Sequence, residues 1–310
     1  MMHRIAIFAL LLSSIGSGAA IAGFDEGRSA LEKGDYATAL SELKPLADKG
    51  IPAAQVLLGE MYLTGRGTPQ DDGQAAEWIR KAAEEGDANA QNDLGNLYST
   101  GRGVPKDEKL AVEWYLKAAN QGDAAAADNL GLKYLRGRGV PQDDSQAVTW
   151  FSKGAEKGDA DAQYNLGYMY ANGVGMPHDD KQAMEWYRKS AHQGYAPGQL
   201  NLGLMYSGLD TAEDDKQAAE WYRKAAEQGS GDAQYNLGLM YQVGRGVAQD
   251  HALAYMLFSL AAVSGSKTAV ANRLSIVQEL SVKEVDKVNE LTKLWRPGTL
   301  LPTHNDIMSK

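Results

Sequence analysis

Apolar positions along most of this chain recur at intervals of three and four residues. Ala90, Leu94, Leu97 and Tyr98 form one run, and Ala111, Trp114, Tyr115, Ala118 and Ala119 the next. Each set falls on one face of an α-helix. Between the runs, Thr100-Gly101-Arg102-Gly103-Val104-Pro105 cannot continue a helix, and Asp107 restarts one by accepting from the free N–H groups of its first turn. The second run closes on Ala-Ala-x-x-Gly, which places Gly122 where a left-handed residue ends a helix. The predicted unit is a hairpin of two amphipathic helices.

That unit recurs. Leu-Gly pairs stand at Leu58-Gly59, Leu94-Gly95, Leu130-Gly131, Leu166-Gly167, Leu202-Gly203 and Leu237-Gly238, 36 residues apart with a single spacing of 35. Gly86, Gly122, Gly158, Gly194, Gly229 and Gly265 keep the same register. So do Trp78, Trp114, Trp150, Trp186 and Trp221, with Leu257 in the sixth place. A fixed period of this length marks stacked repeats, in which each hairpin hides its apolar face against its neighbours. Asp71 and Gln74, Asp143 and Gln146, Asp179 and Gln182, and Asp214 and Gln217 have the spacing of a capping box at the start of the second helix. Glycine beside the leucine costs the first helix about 1 kcal/mol in propensity, so its recurrence predicts close helix contact.

The motif Leu-Gly-x-x-Tyr, a Gly-x-Gly loop, an aspartate, then Ala-x-x-Trp-Tyr-x-x-Ala-Ala-x-x-Gly resembles the Sel-one-like repeat family, a branch of the tetratricopeptide-type helical repeats. The resemblance implies an all-α fold: a right-handed α-solenoid superhelix of antiparallel helix pairs with a concave inner surface. It places six repeats over 51–265, at 51–86, 87–122, 123–158, 159–194, 195–229 and 230–265. Residues 23–50 resemble a more generic tetratricopeptide hairpin that caps the array, 266–296 supply C-terminal capping helices opening at Ser281, and 297–310 form a polar tail. Repeat five is one residue short and its loop, Tyr206-Ser207-Gly208-Leu209-Asp210-Thr211, is expected to differ.

The N-terminus carries Arg4, an apolar run from Ile5 to Leu12, and Ala20-Ile21-Ala22. This is the pattern of a secretory signal cleaved after Ala22, residues 1–22, too short in its apolar part to span a bilayer. The expected location is periplasmic or secreted, with no membrane insertion after cleavage. The chain has no cysteine, which removes disulfides, thiolate metal sites and a cysteine nucleophile from consideration. A formal charge of −9 disfavours nucleic acid as a partner.

Candidate chemistry is sparse. The aspartate pairs Asp71-Asp72, Asp143-Asp144, Asp179-Asp180 and Asp214-Asp215 lack the spaced oxygen ligands of a calcium loop, and the five histidines lack metal-ligand spacing. No cofactor or metal is expected. Ser41-Glu42-Leu43-Lys44 matches the Ser-x-x-Lys nucleophile motif of penicillin-binding enzymes, an activity described for some relatives of this repeat class, but has no companion motif. The expected function is non-catalytic: a scaffold or adaptor in the bacterial envelope that binds another protein, such as a complex member, a signalling receptor domain or a host protein. A secreted host-interaction factor is the alternative, and a cell-wall-active or penicillin-binding enzyme ranks below both.

Information about a partner must sit in columns that vary between repeats. On a helical wheel Asn92, Asn96 and Ser99 oppose the apolar face of their helix and are expected to line the groove. The Asn92 column runs Val56, Asn92, Asp128, Tyr164, Leu200, Tyr235, and the Asn96 column Glu60, Asn96, Leu132, Tyr168, Leu204, Leu239. The predicted partner-binding groove is therefore Tyr164, Tyr168, Leu200, Leu204, Tyr235 and Leu239, with the asparagines at Asn129, Asn165, Asn201 and Asn236 reserved for hydrogen bonds between repeats.

Overall fold

A computed structural model describes residues 18–308 apart from 210. The described residues are helical, with turns between helices, and contain no strand. They divide into two compact units, the boundary falling between Lys157 and Gly158.

The first unit holds α1 (Gly18–Lys33), α2 (Tyr36–Asp48), α3 (Pro52–Thr64), α4 (Asp72–Glu84), α5 (Ala88–Thr100), α6 (Glu108–Asn120), α7 (Ala124–Arg136) and α8 (Asp144–Glu156). Each helix packs on the next in order. The second holds α9 (Ala160–Asn172), α10 (Asp180–His192), α11 (Ala196–Ser207), α12 (Ala212–Glu227), α13 (Gly231–Val243), α14 (His251–Val263), α15 (Lys267–Ile276), α16 (Val282–Leu294) and α17 (His304–Met308). Most of the expected leader lies outside the described residues; Gly18–Ala22 belong to α1, and Ala20 packs on the core beneath it.

Two close approaches explain the recurring glycines. A Cβ on Gly95 would stand 2.6 Å from the Tyr115 ring, so the Leu-Gly glycine is what lets α5 and α6 press together. Gly103, at φ +71°, lies so near the preceding hairpin that a Cβ would come within 1.9 Å of the Asp72 carbonyl. The loop between the helices is thus a joint between repeats as well as a turn.

Tryptophan and glutamine complete that joint. Trp150 of α8 is buried in the cluster that α6 and α7 form around Tyr115 and Leu130, and Trp221 of α12 joins Tyr187 of the repeat before it and Leu202 of its own. A lysine one turn on covers each indole, with Nζ 3.6 to 4.0 Å from the ring centre for Lys81, Lys117, Lys153, Lys189 and Lys224. Gln91 donates to the Ala83 carbonyl at 3.1 Å, and Gln121 donates to Gly86 O and Gln91 Oε1 at 3.0 and 2.8 Å. Gln193 and Gln228 repeat this with Gly158 and Gln163 and with Gly194 and Gln199. The Gln91 bond satisfies a buried carbonyl in the last turn of α4, where an unpaired acceptor would be costly, and the others link one repeat to the turn that closes the repeat before it.

Two expectations about caps need correction. The aspartates at 71, 143 and 179 cap their helices by accepting from the N–H of residue 74, 146 or 182, but the glutamine does not reach back. The reciprocal capping box forms at Ser281 and Glu284, at the head of α16. In the shortened repeat five, Asp214 is not the cap: α12 begins one turn early, and Thr211 Oγ1 accepts from Asp214 N–H at 3.1 Å. Loss of one loop residue is absorbed by extending the helix backward, and Gly208 correspondingly ends α11 in a right-handed conformation.

The polar tail folds back on the second unit. Leu301 and Ile307 are buried in its core, Gly298 N–H donates to Glu227 O at 2.7 Å, and Leu301 N–H donates to Glu227 Oε1 at 3.1 Å.

Candidate functional site

The six predicted groove residues all lie in the second unit, on the first helices α9, α11 and α13. Their environments differ. Tyr168 and Leu204 are 42% and 45% exposed, and they sit at matching places on α9 and α11, which touch. Tyr164 is half-buried, with its ring 5.8 Å from Tyr187 and 5.6 Å edge-on to Tyr195. Leu200, Tyr235 and Leu239 are partly buried against the core around Tyr222, Leu237 and Phe258. The Tyr235 ring lies tilted at 47° to Phe258, 5.8 Å between centres, and its hydroxyl accepts from Asn272 at 3.4 Å. The open part of the face is therefore Tyr168 and Leu204, bordered by the other four.

Burial drives the Tyr187 phenol well above its ordinary pKa, with the neighbouring Tyr164 adding to the shift and a hydrogen bond from Asn201 opposing it. The site floor is a neutral aromatic layer. Its rim presents one phenol and one leucyl side chain, chemistry suited to an apolar or amphipathic protein segment.

In the first unit the wheel-based expectation for the Asn92 column fails. Val56, Asn92 and Asp128 are buried. Asn129 donates to Asn92 Oδ1 at 3.0 Å and, more weakly, to Asn96 Oδ1 at 3.4 Å, while Tyr115 donates to Asn96 Oδ1 at 2.8 Å. A wheel treats a helix as two-sided, yet each first helix here is gripped by the second helices of two repeats and approached by the next first helix. Polar side chains on its far side are spent on bonds between repeats, as expected for Asn129.

Sequence reasoning missed the role of the acids that follow the caps. Asp72 binds Arg102 at 2.8 Å and Asp215 binds Arg245 at 2.7 Å, each tying a Gly-Arg-Gly loop to the hairpin before it. The Arg102 hydrogen bond holds the Asp72 carboxyl below its usual pKa despite some desolvation. The constant spacing of 30 residues between acid and arginine was the signal available in the sequence. The Ser41 hydroxyl donates to the Thr38 carbonyl at 2.9 Å and Lys44 pairs with Asp48 at 3.1 Å, so the Ser-x-x-Lys residues are turned to other partners. Among the described residues no group of three or more His, Asp or Glu is placed to hold a metal ion, and no helix is long and apolar enough to cross a membrane.

A family model described as the Sel1 repeat matches residues 52–87, 88–123, 124–159, 160–195, 196–230 and 231–266. Among solved structures the chain is similar to a Sel1 repeat protein from Oxalobacter formigenes, with 36% identity over 81% of this chain and 76% of that one and a TM-score of 0.68. It is also similar to a protective antigen present in uropathogenic Escherichia coli strains and displaying an SLR fold, with 33% identity over 90% of this chain and 68% of that one and a TM-score of 0.58. No curated protein shows significant similarity to the chain.

Proposed function

The chain belongs to the Sel1-repeat family, whose members mediate protein–protein interaction, and from that premise we propose that it is an exported, non-catalytic adaptor holding a partner protein at Tyr168 and Leu204. The observation that carries this reading is the exposure of two large side chains, each over two-fifths uncovered, at equivalent positions of adjoining repeats. Side chains of this size in matching places are what a partner would cover. The half-buried Tyr164 and Leu200 beside them are held by packing, so little conformational entropy would be lost on binding.

Export is supported by the apolar run from Ile5 to Leu12 and the small residues ending at Ala22. The periplasm or the extracellular space is then the site of action. A secreted factor acting on a host cell is a second reading, favoured by the likeness to the uropathogenic antigen. The non-catalytic assignment is supported by Ser41 and Lys44 bonding elsewhere.

The test is crosslinking in cells followed by mass spectrometry of the exported fraction, comparing the natural chain with Tyr168→Ser/Leu204→Ser. A partner captured by the first and lost from the second supports the site. An unchanged partner set sinks it, and a chain found wholly in the cytosol sinks the export assignment.

A further inference from the structure

The first unit contains a polar cavity of about 180 Å³ between the C-terminal ends of α5 and α7, and we infer that it receives a single carboxylate of a bound peptide through Arg136 and Arg138. The argument starts from the broken register of the loop arginines. Thirty residues separate Asp72 from Arg102 and Asp215 from Arg245, and both pairs are closed, with the guanidinium also donating to a carbonyl of an earlier repeat, Leu63 O at 2.6 Å or Ser207 O at 2.9 Å. The same spacing joins Glu108 to Arg138. Here the acid is one methylene longer and turns away, to Lys133 Nζ at 2.6 Å and Lys106 Nζ at 3.5 Å. Arg138 is left without its acid, and among the described residues neither its guanidinium nor that of Arg136 has a hydrogen-bond or ion partner.

Both free guanidiniums line the cavity, together with Ser99, Leu132 and Lys133. Lys133 is 8% exposed and already satisfied, donating to Glu108 and to the Ser99 hydroxyl at 2.6 Å each. Glu108 and Asp93 are the acids near enough to act on the Tyr115 phenol at the cavity wall. Of the cations on the cavity wall Lys133 is held by Glu108, while among the described residues Arg136 and Arg138 have no acid paired with them. A carboxylate matches the planar fork of a guanidinium, whereas a phosphate dianion would set a second charge near Glu108. The cavity is smaller than the roughly 300–1,000 Å³ of sites that enclose a whole small molecule. It suits one anionic group with a short apolar neighbour against Leu132. That the carboxylate comes from a peptide rests on the protein-binding reading above; the anion subsite does not.

The test is a titration of the full chain labelled with ¹⁵N at arginine Nε, followed by NMR. The probes are N-acetyl-leucyl-alanine, its C-terminal amide, N-acetyl-glutamyl-alanine amide and inorganic phosphate. The free acid should move the Arg136 and Arg138 signals and leave Arg102, locked to Asp72, in place; the amide should move none. Arg136→Gln/Arg138→Gln should weaken the free acid at least about tenfold, the loss expected for charge-assisted bonds. Equal binding by the glutamyl amide would also support the subsite and assign it to a side chain instead of a chain end. The inference is overturned if Arg136 and Arg138 do not respond to either carboxylate, if the leucyl-alanine amide moves them as far as the acid, or if phosphate binds more tightly. Carboxylate binding alongside a partner set unaffected by Tyr168→Ser/Leu204→Ser would sink the Tyr168 site alone and leave the subsite standing.

Discussion

Gly103→Ala isolates the joint between repeats from the backbone conformation that glycine provides. Two costs add. The residue sits at φ +71°, where an L side chain costs about 1–2 kcal/mol. Its new Cβ would also lie 1.9 Å from the Asp72 carbonyl oxygen and 2.5 Å from the carbonyl carbon, so backbone must move, at a further cost of about 1–3 kcal/mol. Gly122→Ala is the internal control, since φ is +93° but nothing lies within 4 Å of the added carbon. Gly122→Ala should therefore cost about 1–2 kcal/mol and Gly103→Ala about 2–5 kcal/mol. Urea denaturation followed by circular dichroism gives the total. Because a repeat array need not unfold in one step, amide hydrogen exchange should locate the loss, with protection falling at the start of α4 in Gly103→Ala. Equal costs for the two variants would refute the claim that this loop is a packed joint.

Three further outcomes follow from the geometry. Trp150→Ala should cost about 3–5 kcal/mol by emptying a buried site, and Trp114→Ala distinctly less because that indole is only half-buried; melts that reverse the order would contradict the packing described. Tyr115→Phe should cost about 1 kcal/mol through loss of the 2.8 Å bond to Asn96, while Tyr168→Ser, at an exposed position, should leave the urea midpoint nearly unchanged. Burial pushes the Glu108 carboxyl up, but the hydrogen bonds and charges of Lys133 and Lys106 outweigh it and hold the folded pKa below the ordinary 4.5. A depressed acid contributes stability above 4.5 and loses it as pH falls through the folded value; Lys133→Met removes the larger of the two lysine contributions that oppose burial, so this part of the acid loss should shrink between pH 7 and 3. Parallel stability profiles in the two chains would refute that reading.

The repeat period, the helix pairs and the joints at Gly95 were legible in the sequence because packing demands the same residue in every repeat. Features that depend on the partner of each side chain were not. A wheel drawn on α5 could separate Leu94 from Asn92, but it could not show that Asn92 is covered by the next repeat and bonded to Asn129. The shift of the cap from Asp214 to Thr211 was hidden for a similar reason: one deleted residue can be absorbed by the loop or by the helix, and local propensity does not choose. Of the candidate site, the column register placed Tyr168 and Leu204 together, while the burial of Tyr235 and Leu239 against Phe258 and its neighbours depended on how α14 packs.

The central claim is that the face around Tyr168 engages another protein. A photoactivatable phenylalanine analogue placed at Tyr168 tests it most directly when compared, in cells, with the same analogue at Leu116, an exposed residue of α6 in the first unit. A discrete crosslinked protein obtained from position 168 and not from 116 is the predicted result. Identical products from both positions, or none from 168, would contradict the account.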